Sequence, residues 1–172
     1  MKQFIKNLGN ELQVNVGVPR GAGVYEDGLT IATIAAVNEF GTEDGRIPAR
    51  PFLRPAIEEN TAVYLRIVER DLPEILAGKQ PMTRLLHRLG NLATGHVQRK
   101  IVDGPFTPNA PSTIRAKGSS SPLIDTGALR QSINYEIFDN REPVEEGLQT
   151  VSPGGFISRI INKAKKIFGR SN

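Results

Sequence analysis

The 172 residues include 38% hydrophobic and 23% charged side chains, which fits one globular domain with a buried core and argues against a disordered chain or a membrane protein. No cysteine is present, which excludes disulfides, thiolate metal sites and cysteine nucleophiles. The net charge of +4 points to an anionic partner until it is located: residues 151–172 hold Arg159, Lys163, Lys165, Lys166 and Arg170 and no acid, which leaves 17 basic against 18 acidic residues in 1–150.

Residues 1–6 carry no apolar run of signal-peptide length, and nowhere do eighteen apolar residues follow one another, so synthesis in the cytosol is expected. Residues 12–18 alternate, with Leu12, Val14, Val16 and Val18 on one side, and predict a half-buried strand. Residues 19–23 turn the chain. Ile31, Ile34 and Ala35 then recur at helical spacing within 30–40, and Gly41 stands at the position of a C-terminal cap.

Segment 42–55 sets three prolines and three arginines around Phe52 and Leu53, a spacing that opposes helix and favours extended backbone. Pro55 suits the first position of a helix over 56–72, with Ile57, Tyr64, Ile67 and Val68 as its apolar stripe and Pro73 as the residue that ends or kinks it. A further helix is expected over 83–101, with Leu85, Leu86, Leu89, Leu92, Ala93 and Val97 inward. Gly90 and Gly95 weaken it by about 1 kcal/mol each relative to alanine, which close helix packing would offset.

Residues 103–123 read as a long irregular loop, rich in proline, glycine and serine. Asp125 or Thr126 suits the cap of a helical turn over 127–130. Residues 132–138 alternate again, with Ile133, Tyr135 and Ile137 against Ser132, Asn134 and Glu136, and predict a second strand; 147–151 is a weaker third candidate. The expected organisation is an α+β core over 1–151, in which a small antiparallel sheet packs against two or three long helices, followed by an arm over 152–172. In that arm Ile157, Ile160, Ile161, Ala164, Ile167 and Phe168 fall within roughly 120° of a helical projection, while Arg159, Lys163, Lys166 and Arg170 lie opposite. Docking on this or a neighbouring subunit, an anionic partner such as DNA, and a membrane surface are the three uses such a helix has.

Motifs of catalysis are missing. Gly21, Gly23 and Gly28 do not have the spacing of a phosphate-binding loop. His87 and His96, nine residues apart, do not share a helix face. GxSxG and HExxH do not occur. No catalytic residue, metal or cofactor is expected. What stands out is the apolar and arginine content of two segments. One is Glu39-Phe40-Gly41-Thr42 with 47–55, and the other is Leu123-Ile124-Asp125-Thr126-Gly127-Ala128-Leu129-Arg130-Gln131-Ser132-Ile133. Two readings of the first stand side by side. Phe52 and Leu53 plug the core while the arginines pair with Glu39, Glu43 or Asp44, or the stiff arginine-lined strip is a subunit contact, since arginine and aromatic residues favour interface cores.

At these segments the chain resembles the tail-completion or neck proteins of tailed bacteriophages, also called head-to-tail joining or virion morphogenesis proteins. Members typically show an EFG(T) element followed by ARPFLRPA, and an LxxTGxLRxSI element leading into a strand. Here these are Glu39-Phe40-Gly41-Thr42, Ala49-Arg50-Pro51-Phe52-Leu53-Arg54-Pro55-Ala56 and the segment ending at Ile133. The resemblance covers roughly residues 12–140. In many members TGxLRxSI comes first, and here it follows, as in a circular permutation, which termini lying close together tolerate. Such an order would pair strand 132–138 with strand 12–18 in one antiparallel sheet, with the long helices on one face.

The resemblance implies a structural virion protein: a ring of roughly six or twelve copies in the neck, between the portal or its adaptor and the tail terminator or tail tube proteins, made in the host cytoplasm and ending in the virion. It implies contact residues at Phe40, Arg46, Arg50, Phe52, Arg54, Thr126, Leu129 and Arg130. The loop 103–123 and the arm carrying Ile157, Arg159, Ile160, Ile161, Lys163, Lys166, Ile167 and Phe168 would gain order on assembly, with DNA in the channel as a secondary contact and no membrane partner. The alternatives are a tail terminator, or a DNA-binding module that uses the basic helix.

Overall fold

A computed structural model of the protein describes residues 12–19, 21–25, 28–139 and 142–143. The strand candidate at 147–151 and the arm at 152–172 lie outside the described residues. Strand β1, Leu12–Gly17, pairs antiparallel with β2, Asn134–Asp139, and sets Val14 opposite Ile137 and Val16 opposite Tyr135. A two-residue strand β3, Glu142–Pro143, lies on the other side of β2. The sheet therefore joins segments from the two ends of the core, and the chain between them builds the helices. This is an α+β fold with the expected pairing of the two alternating segments.

Helix α1 spans Ile31–Phe40, α2 Leu53–Glu59, α3 Thr61–Leu76, α4 Met82–Asp103, α5 Pro111–Lys117 and α6 Ala128–Ser132. Helix α4 is the centre of the molecule and packs against α2, α3, α6 and both long strands. Its position follows from its pattern: Leu85, Leu86, Leu89, Ala93, Val97 and Ile101 recur at helical spacing and are all buried. Each large side chain among them contributes roughly 1.5–3 kcal/mol by leaving water. Val14, Val16 and Ile137 from the sheet and Tyr64 and Val68 from α3 complete the same core.

Two tyrosines enter this core with their hydroxyls satisfied by the histidines of α4. Tyr64 is fully buried and its hydroxyl lies 2.8 Å from His96 Nδ1. The Tyr135 hydroxyl lies 3.0 Å from His87 Nδ1 and accepts a hydrogen bond from Asn91 Nδ2. Burial raises the Tyr64 pKa above its usual range, and burial, with the Arg99 charge, lowers that of His96. The Tyr135 ring sits against Gly90, where a Cβ would come within 2.3 Å of it. The glycine expected to weaken α4 is thus the one that lets β2 approach. Gly95 has nothing within 4 Å of a Cβ, so packing does not account for it.

Three expectations are corrected. The helix expected over 56–72 is two helices, broken at Asn60, and the first starts at Leu53, with Pro55 in its third position. Pro73 does not end α3, which continues to Leu76. Pro73 is exposed, and the turn that follows it keeps Ile75 buried beside Leu72, so packing holds the last turn despite the missing N–H. The loop 103–123 contains α5, with Pro111 at its start and Gly118 in the left-handed region as its cap, its N–H donating to the Ile114 carbonyl. No residue of α5 is buried, so no apolar stripe announces it.

Candidate interface

Glu39, near the end of α1, has its carboxylate inside the fold. Its Oε2 accepts from the backbone N–H groups of Phe52 and Leu53, both at 2.8 Å, and its Oε1 from that of Arg54 at 3.0 Å. These are donors of the first turn of α2, which have no partner within the helix. A carboxylate there meets both the unpaired N–H groups and the positive end of the helix dipole. This explains why α2 starts at Leu53, without a capping side chain of its own.

The intervening loop folds tightly on the same framework. The Arg50 N–H donates to the Asn38 carbonyl at 2.6 Å. Gly41 turns the chain with φ 75°, and a Cβ there would lie 2.9 Å from the Ala49 nitrogen, so both conformation and space require glycine. Thr42 donates from its hydroxyl to Asp44 Oδ1 at 2.7 Å and accepts there from the Ile47 N–H at 3.0 Å. Asp44 accepts from the Thr42 hydroxyl and the Arg46 N–H, which hold its carboxyl below the usual value, and it pairs with the Arg46 guanidinium at 3.1 Å. Of the carboxylates set against arginine in the sequence, Asp44 is thus in an ion pair, whereas Glu39 binds backbone.

The eight contact candidates divide by position. Phe52, 2% exposed, and Leu129, 3% exposed, are core residues. Arg50 is buried and donates from Nε to the Thr107 carbonyl at 2.7 Å and from Nη2 to the Pro108 carbonyl at 3.1 Å, which ties segment 104–110 to the capped loop; burial lowers its pKa. Phe40 is 63% exposed, and Arg46, Arg54, Thr126 and Arg130 are exposed as well. Thr126 Oγ1 accepts from the Ala128 N–H at 3.3 Å, which supports the start of α6 after Gly127. The eight arm residues named above lie outside the described residues.

Two of the exposed members, Phe40 and Arg54, line a groove. This apolar groove is lined by Ala32, Ala36 and Phe40 of α1, by Leu53 and Arg54 of α2, and by Ile133 and Gly17. Helix α6 packs against α1, so the second motif closes the same region as the first. The sequence carried signals for both segments but none for the groove, which forms where the Glu39 carboxylate ties the end of α1 to the start of α2. No group of side chains able to hold a metal ion occurs among the described residues.

Compared with known proteins, the chain matches no family model, and neither a curated protein nor a solved structure gives a significant match.

Proposed function

We propose that the protein is a structural component of a tailed-bacteriophage virion, a ring-forming neck protein that joins the portal or its adaptor to the tail. The observation that supports this reading is that the two segments carrying the resemblance, far apart in sequence, border one apolar groove: Glu39, Phe40, Phe52, Leu53 and Arg54 from the first, Ile133 from the second. The residues of the motifs then have separate duties. Glu39 and Phe52 lie in the wall of the groove, Gly41 and Arg50 hold the loop between them, and Phe40 and Arg54 are the exposed members of its lining. An arginine and an aromatic side chain at the rim of an apolar groove are the composition of a protein interface, and a ring requires such a patch to meet a different patch on the next copy.

The partners are copies of this chain, the portal or adaptor on one side and the tail terminator or tail tube on the other, with DNA in the channel as a secondary contact. Labelling the protein within purified particles tests the placement. Density at the junction of head and tail is expected; density at the distal end of the neck would make it a tail terminator, and absence from particles would overturn the reading. A DNA-binding module instead requires a monomer whose duplex affinity falls steeply with salt and vanishes without residues 152–172.

A further inference from the structure

The groove between α1 and α2 has a chemistry that the capping network leaves unused. Ala32, Ala36 and Phe40 recur at four-residue spacing on one face of α1, and Gly17, Val18 and Leu53 complete an apolar lining. The groove is open to the surface with a cavity volume of about 100 Å³, well beyond the roughly 10–15 Å³ that one water needs on this measure, so an apolar side chain can enter it. The charged groups in the lining do not call for a polar ligand: Glu39 already accepts three backbone hydrogen bonds, and Arg54 is exposed. Phe40 at the rim is 63% exposed in the single chain.

The chain supplies an occupant with the complementary pattern. Residues 157–168 gather Ile157, Ile160, Ile161, Ala164, Ile167 and Phe168 on one side of a helical projection, away from the basic residues. The small side chains of α1 let such a face come close. Strand β3 lies at the end of the sheet where Leu12 pairs with Asp139, and the groove lies at the other end, beside Gly17 and Ile133. Residues 144–156 reach up to about 45 Å when extended, at 3.3–3.6 Å per residue, which is enough to reach a groove on the same or a neighbouring copy; the ring reading assigns the neighbour.

We infer that the groove receives the apolar face of residues 157–168 from a neighbouring copy, each subunit giving one arm and accepting one. The inference rests on the ring reading and specifies its contact, arm on groove, which is heterologous and is saturated when the ring closes. The basic side of the arm stays outward, so the excess charge of the chain lies along the joints of the ring.

The absence of native cysteine makes the test direct. In the full-length protein, Ala36→Cys is combined in turn with Ile157→Cys, Ile160→Cys or Ala164→Cys, and with Lys163→Cys as the control on the opposite side, followed by a short thiol crosslinker and a denaturing gel. At least one apolar-side pair is expected to give a ladder of covalent multimers, at several times the yield of the control. A product confined within one chain, or no product from any pair, overturns the inference. Ala36→Trp, which fills the groove, should abolish the ladder when added as a third substitution on Leu53→Cys with Ile160→Cys while leaving the circular-dichroism melting curve in place. An undiminished ladder in that folded variant also overturns it. Light scattering on the same samples separates the two claims: rings without crosslinks remove the arm exchange and keep the ring, whereas a ladder ending at the dimer keeps the exchange and removes the ring.

Discussion

Glu39 is the residue on which the local architecture turns, because one carboxylate holds three backbone donors at the start of a helix that begins fourteen residues later. Glu39→Ala leaves those buried donors unpaired and is expected to lower stability by about 1–3 kcal/mol in urea unfolding, with Glu39→Gln losing less; an unchanged midpoint for Glu39→Ala would remove the cap from the account. Glu136 is the opposite case. It is 5% exposed, its Oε2 has no hydrogen-bond partner, and burial raises its pKa above the ordinary 4.5. The folded state then holds the Glu136 proton more tightly than the unfolded state, so the contribution of this group to stability is fully present below pH 4.5 and is lost as pH rises through the raised value. Glu136→Gln should therefore stabilise the protein at pH 7 and change it little at pH 4, as measured by thermal unfolding at the two pH values. An equal gain at both would show that charge is not the cause.

At the scale of elements, α4 offers a paired comparison. Gly90→Ala and Gly95→Ala carry the same gain in helix propensity, about 1 kcal/mol, but the added methyl at Gly90 meets the Tyr135 ring and at Gly95 meets nothing. Gly90→Ala is expected to destabilise by about 1–3 kcal/mol through overpacking and Gly95→Ala to stabilise; equal effects in chemical denaturation would contradict the packing described. The connection after α4 hangs on Arg50, whose bonds to the Thr107 and Pro108 carbonyls are its described anchors from the first motif. Arg50→Met should speed amide hydrogen exchange across 104–118 while leaving α4 protected, and uniform exchange would show that the segment is held by other means.

These elements also show what the sequence made legible. The alternation of Val14 and Val16, and of Tyr135 and Ile137, was enough to place both strands to within two residues, since period-two patterning marks a strand, while their pairing came from the permuted order of the motifs; Glu136, on the side read as outward, is buried. The stripe of α4 was equally plain. The start of α2 was not, because its cap comes from Glu39 on another element, and no local pattern records a carboxylate delivered across a loop. The division of the motif residues into builders and exposed residues was hidden for a related reason: Arg50 and Arg54 lie in the same arginine–proline spacing, yet one is buried on carbonyls and the other is exposed.

At the scale of the whole molecule, the charge and the groove belong to one account. The body of the chain is near neutral, the excess of basic residues lies in 151–172, and an apolar groove bordered by both motif segments opens on the surface. The central claim is that these parts close a ring, and class averages of the purified full-length protein by electron microscopy test it most directly. Closed rings of one cyclic symmetry, of roughly six or twelve subunits, are the predicted result; a monodisperse monomer that remains monomeric at high concentration and with the portal or tail proteins present would contradict it.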